Sequence, residues 1–221
     1  MPHAKVAKQV LRTARKTTRH PDRSSSTKRR LIESATELFT ERGYAGTSLD
    51  EVVAASRVTK GALYHHFSSK LSLFESVFER VQRDAVAEIQ AVLDEVRDPW
   101  ERAEAGFESF LAACRKPEFR RICMQEGPVA LGHERWQELE REAAYGIVVA
   151  TVTDLLADLG AAEELAEAFS AIFYGSLRSS AEFVADAEDP DAASDEAAAA
   201  IGIVLTGIRQ LGATLASEGT P

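Results

Sequence analysis

The chain has 221 residues, of which 45% are hydrophobic and 28% charged, with only two cysteines, Cys114 and Cys123. That composition excludes a collagen, a disordered chain and a disulfide scaffold, and the scarcity of cysteine fits a reducing cytoplasm. The net charge of −9 conceals an asymmetry: residues 1–80 hold 15 Lys/Arg against 8 Asp/Glu, whereas residues 81–221 hold 11 against 27.

A basic head on an acidic body points to a polyanion partner. A basic tail on an unrelated acidic protein carries the same charge pattern. The longest uninterrupted apolar-and-glycine run, Ala197–Leu205, is nine residues, so no membrane-spanning helix and no membrane partner are expected. The N-terminus lacks the apolar core of a secretory signal.

Residues 1–23 hold seven Lys/Arg and one acid, Asp22, and are expected to form a basic flexible arm. Pro21 and Ser24-Ser25-Ser26 punctuate the chain after it. From Thr27 onward the pattern is helical. Leu31, Ala35, Leu38 and Phe39 fall on one face of a first helix, which Gly43 ends. Thr47 and Asp50 have the spacing of a capping box, opening a short second helix with Leu49, Val52 and Val53. Ser56-Arg57-Val58 is a tight connection, and Thr59 caps a third short helix carrying Ala62, Leu63 and Phe67.

A fourth helix is predicted from about Ser69 to Arg97, and Asp98-Pro99-Trp100-Glu101 starts a fifth. Pro117 and Pro128 mark further boundaries. Long helices are expected over about 135–159, 163–187 and 191–217, separated at Gly160 and Asp189-Pro190. No segment alternates for long enough to read as a strand, so the fold class is all-α.

The short second and third helices with their three-residue turn have the layout of a helix-turn-helix, whose second helix presents its N-terminal residues to base edges. Here those residues are Thr59, Lys60, Gly61 and Ala62, with Tyr64 and His65 one turn further on. The stretch from Arg30 to Phe74 resembles the DNA-binding domain of the tetracycline-repressor (TetR) family. The resemblance is carried by Leu38-Phe39, Gly43-Tyr44, Thr47-Ser48, Val58-Thr59-Lys60-Gly61, Leu63-Tyr64, His66-Phe67 and Ser69-Lys70. Ser56-Arg57 departs from the Ala-Gly usual in the family's turn, which implies either strained backbone at Arg57 or a DNA contact by its side chain.

The resemblance implies an arm (1–23), a helix-turn-helix domain (24–74) and a helical ligand-binding and dimerisation domain (75–221). It implies a homodimeric regulator on a pseudo-palindromic double-stranded operator, most simply a repressor released by a small-molecule effector; an activator or a ligand-independent regulator is the alternative. Carried over by position, Thr47, Ser48, Tyr64, His65 and Lys70 resemble phosphate contacts, with Arg57 beside them. Thr59, Lys60, Gly61 and Ala62 resemble base readers.

In the body, Phe169, Phe173 and Leu177 lie on one apolar stripe and Ile201, Leu205, Ile208 and Leu211 on another, both read as dimer interface. Burial within one subunit would produce the same stripes. Phe107, Phe110, Cys114, Met124, Trp136, Tyr145, Phe173, Tyr174 and Arg178 are candidate pocket residues, each also explicable as ordinary core. Arg178 has two partners open to it, an acidic ligand or Glu182 four residues on. No metal, cofactor or catalytic motif is present, and no enzyme activity is expected.

Overall fold

The structure, a computed structural model, describes residues 20–161 and 163–218, and among them every regular element is helical. The chain divides into two compact units, residues 1–77 and 78–221. Residues 1–19 of the expected arm lie outside the described residues.

In the first unit, α1 (His20–Arg42) is followed by α2 (Leu49–Ser56), α3 (Lys60–His66) and the opening turns of α4 (Lys70–Glu95). Helix α1 starts at His20, so Pro21 and the three serines lie inside it and mark no boundary. Proline is tolerated so close to a helix start, where its missing N–H has no partner to lose. Leu31, Ala35 and Phe39 of α1, Val52 of α2, Leu63 and Phe67 at α3, and Leu73 and Phe74 of α4 close into one core. Phe74 meets Phe39 and Tyr44 edge-on, each at 5.1 Å. Burying each such side chain stabilises the head by roughly 1.5–3 kcal/mol. Gly43, at φ 72°, reverses the chain after α1.

The capping box of α2 sits one residue later than the sequence spacing suggests. Ser48 is the N-cap, and it exchanges hydrogen bonds with Glu51. Thr47 is instead buried, its hydroxyl donating to the carbonyls of Gly43 at 2.9 Å and Leu38 at 3.2 Å. Residue 47 is thus taken up by the turn, and the cap passes to its neighbour.

The second unit contains the rest of α4, α5 (Pro99–Arg115), a π-helical segment (Phe119–Glu126), α6 (Gly127–Leu131), α7 (His133–Asp158), a 3₁₀ turn (Glu163–Leu165), α8 (Ala166–Asp186) and α9 (Pro190–Glu218). Asp98 caps α5 by accepting from the amides of Trp100 and Glu101, both at 3.0 Å, with Pro99 in the first turn. Trp100 then packs with Leu155 and Leu205, while its indole N–H reaches Asp158 at 2.7 Å. The π-helical segment was not legible in the sequence. It ends at Gly127, where a Cβ would stand 2.9 Å from Phe78 and 3.0 Å from Trp136.

The two apolar stripes pack largely within the subunit, the alternative that the sequence left open. Phe173, Ile201, Leu205 and Ile208 pack around Trp100 and Leu155, and Phe169 and Leu177 pack on Val148, Val152 and Leu156. Of the seven residues read as dimer interface only Leu211 is exposed; Ile172 and Phe183 on α8 and Ile203 and Val204 on α9 are exposed as well. Helices apolar on both sides gave no contrast from which to choose the inner one. A Cβ on Gly212 would meet the Leu159 side chain of the same subunit.

Helix α9 also corrects the run-length argument. By length and composition Pro190–Thr214 is apolar enough to cross a membrane, because alanines and glycines extend the stretch beyond its nine-residue run. Its Leu205 side is nonetheless packed within the unit.

Leu205 is 3% exposed and Val129 81%. Leu205→Ala should therefore cost roughly 2–5 kcal/mol in denaturant unfolding, and Val129→Ala less than about 0.5 kcal/mol. Comparable losses for both would return Leu205 to the surface.

Candidate nucleic-acid interface and buried cavity

Helix α3 is held from behind and left open in front. Leu63 and Phe67 anchor it in the core, and Thr59 caps it by accepting from the Ala62 amide at 3.2 Å. On the other side Thr59, Lys60, Gly61, Tyr64 and His65 are exposed, with Ala62 half-buried. A Cβ on Gly61 would meet nothing within 4 Å, so packing within the head does not require glycine there. Lys60 pairs with Asp50 at 2.7 Å, and that bond, followed by the charge of Asp50, raises the ammonium pKa. Both groups are well exposed, so water and salt weaken the pair and Lys60 can exchange Asp50 for another acceptor.

Arg57 adopts the left-handed conformation (φ 53°, ψ 40°) that ends α2, so the departure from glycine does place a side chain where backbone strain is expected. Its own side chain is exposed, while Arg30 reaches across to the carbonyls of Ser56 and Arg57. Ser48 is exposed, but its hydroxyl is engaged by Glu51.

Two expected phosphate contacts point elsewhere. The Thr47 hydroxyl is internal, as described. The Lys70 ammonium donates to the carbonyls of Tyr44 at 2.8 Å and Thr47 at 3.0 Å and lies 4.3 Å over the Tyr44 ring. It ties the turn between α1 and α2 to the start of α4.

In the second unit, a cavity of ≈ 140 Å³ opens between α4, α5, α7, α8 and α9. Of the sequence candidates, Phe107, Phe110, Met124, Phe173, Tyr174 and Arg178 line it. Cys114, Trp136 and Tyr145 do not. Cys114 is buried core, and burial followed by the nearby Glu140 charge pushes its thiol up to about 12, an inert group. Trp136 donates to the Cys123 carbonyl at 2.9 Å, and Tyr145 stacks edge-on behind Tyr174 at 5.3 Å.

Among protein groups Arg178 pairs with Glu140 and not with Glu182. Its Nε lies 3.7 Å from Oε2 of Glu140 on α7, and its guanidinium covers Trp136 at 5.0 Å. Glu140 is only 8% exposed. Burial pushes its carboxyl up to about 7, with Arg178 opposing the shift and Glu182 adding to it. Neither Oε2 of Glu140 nor Nε of Arg178 has a hydrogen-bond partner. Glu140 escaped the sequence reading because it stands among Glu138, Arg141 and Glu142, and only the packing of α7 singles it out.

Residues 31–77 match the bacterial regulatory proteins of the tetR family, and residues 100–208 match the tetracyclin repressor-like C-terminal domain. The chain is similar to a TetR-family transcriptional regulator from Pectobacterium atrosepticum of known structure. The two are 30% identical with a TM-score of 0.74, over 86% of this chain and 97% of that one. It is also similar to the transposon Tn10 TetC protein of Escherichia coli, at 34% identity over 59% of this chain and 66% of that protein. A shorter match, 36% identical over 36% of each chain, is to the HTH-type transcriptional activator FasR of Mycolicibacterium smegmatis. The matched stretches thus span less than two thirds of these two relatives' lengths. Other relatives carry the names of repressors or negative regulators.

Glu140 binds its proton more tightly in the folded than in the unfolded chain. Its contribution to stability is complete below the ordinary carboxylate value of 4.5 and is lost as pH rises to about 7. The melting temperature of the native protein relative to Glu140→Gln should therefore fall between those two pH values and level off above them. A difference independent of pH would show that Glu140 ionises as an ordinary surface acid.

Proposed function

The chain belongs to the TetR family and is a DNA-binding transcriptional regulator, and we propose that it is a cytoplasmic repressor which seats on a pseudo-palindromic operator as a homodimer and leaves when a small molecule fills the cavity. The observation that carries this reading is α4, one continuous helix. Its first turns complete the core of the head through Leu73 and Phe74, and its later turns line the cavity through Gln82, Val86, Ile89 and Leu93. A ligand that displaces the later turns acts on the same helix whose first turn is tied to the turn before α2 through Lys70.

The base-reading set is Thr59, Lys60, Gly61 and Ala62, with Tyr64, His65 and Arg57 on the flanking phosphates. Two-fold symmetry would place two copies of α3 in successive major grooves, roughly 34–36 Å apart. A small change in that spacing prevents both from docking together. The seven Lys/Arg of residues 1–23 add affinity with little sequence preference. In this reading the cavity serves binding, with Glu140 and Arg178 as its charged lining.

In this reading the second copy is seated on the outer sides of α8 and α9, where Ile172, Phe183, Ile203, Val204 and Leu211 are exposed. Soluble subunits rarely leave so much aliphatic surface in water. Activation is the second reading, favoured by the match to FasR. An in vitro transcription assay on the selected operator separates the two.

Binding-site selection on random duplex DNA should return inverted repeats. Lys60→Ala should then alter the ranking of operator variants. Gly61→Ala should stabilise α3 by about 1 kcal/mol yet weaken operator binding, because the added methyl enters the space the groove needs. Tighter binding by Gly61→Ala would exclude close approach at that residue.

For assembly, Ile203→Asp is the informative change, because residue 203 is 74% exposed and its replacement leaves the core intact. Light scattering should report a folded monomer with lost operator affinity. A mutant that stays dimeric would place the second copy on another face.

A further inference from the structure

Resting on the reading of the cavity as the effector site, we propose that its ligand is a compact, uncharged, apolar molecule of about one aromatic ring bearing a single hydroxyl, a phenol in chemical class, whose oxygen bridges Glu140 and Arg178.

Size sets the first limit. The cavity holds ≈ 140 Å³, and an apolar protein cavity of about 150 Å³ takes up one benzene. Phe107, Phe110, Ile147, Phe173 and Leu177 make most of the wall apolar. Such a wall rewards a ring and offers long polar molecules nothing.

The polar end sets the second limit. Among the described residues, Glu140 and Arg178 are the charged ones that line the cavity. An anionic head would approach Arg178 but meet Glu140, and a cationic head would meet the reverse, so neither sign gains from the pair as a whole. Oε2 of Glu140 accepts and Nε–H of Arg178 donates, and both atoms are buried without a hydrogen-bond partner although only 3.7 Å apart. A hydroxyl is one donor and one acceptor on one atom, the set that satisfies both.

Two hydrogen bonds of about 2.7–2.9 Å meeting at one oxygen require the pair to part to roughly 4.5–5 Å. Glu140 is on α7 and Arg178 on α8, so this parting separates two helices of the cavity wall. Above pH 7 the carboxyl of Glu140 is ionised, so the pair presents one negative and one positive group.

The test is calorimetric titration of the full chain at pH 8, where Glu140 is ionised, with phenol, toluene, benzoate and benzylamine. These four share one ring and differ in the head. Phenol should bind about tenfold or more tightly than toluene, the scale of one hydrogen bond to a charged group, and the two ions should bind weakest. In the double variant Glu140→Leu/Arg178→Met, which exchanges the pair for apolar groups of similar reach, toluene should bind as before and the phenol advantage should disappear.

Benzoate or benzylamine as the tightest ligand would overturn the proposal, as would equal binding of phenol and toluene or no binding of any of the four. If the double variant does not fold, the ranking on the native protein decides. Phenol bound with the expected preference but without any loss of operator affinity would uphold the ligand chemistry and sink the release mechanism.

Discussion

Helices of eight and seven residues do not persist in water by themselves, because nucleation costs more than so few hydrogen bonds return. Helices α2 and α3 therefore exist only as far as the apolar cluster of Leu31, Phe39, Val52, Leu63 and Phe74 holds them. Everything the head does on its outer side depends on that inner contact. The turn before α2 is fixed by a buried hydroxyl at Thr47 and a lysine at residue 70, and the turn after it by Arg57 in left-handed backbone. Polar groups that look available for DNA are thus consumed in positioning the few that remain open.

The fold was legible because helix signals are local. Proline, glycine and the capping residues mark the ends of α5, α7 and α9 in the chain itself, and the helix-turn-helix repeats a known spacing of core residues. What was not legible depends on which way a side chain turns. Thr47 and Ser48 are adjacent hydroxyls, either of which could cap α2, and only the burial of Thr47 decides between them. The inward face of α9 could not be chosen from sequence, since Leu205 and Ile203 are alike in chemistry and opposite in exposure.

The cavity presents the same division. Its aromatic wall was foreseen through Phe107, Phe110 and Phe173, because large apolar residues on body helices are few in this chain. Its polar end was half foreseen. Arg178 drew notice as a charge in an apolar stretch, whereas its partner Glu140 is 38 residues away in the chain and was hidden among other charges. A buried ion pair is costly to desolvate and is weak evidence for stability. Here its unsatisfied atoms make more sense as one half of a recognition site.

Helix α8 faces two ways. Phe173, Tyr174, Leu177 and Arg178 turn inward, to the cavity, while Ile172 and Phe183 turn outward. In the proposed homodimer one rigid rod would therefore touch the ligand on one side and the second subunit on the other. Such an element cannot respond to one neighbour in isolation. Filling the first cavity would then shift a surface that the second subunit leans on, which would link the two cavities of the proposed pair thermodynamically. Occupancy then follows effector concentration with a steepness other than that of independent sites, and the response threshold becomes a property of the assembly.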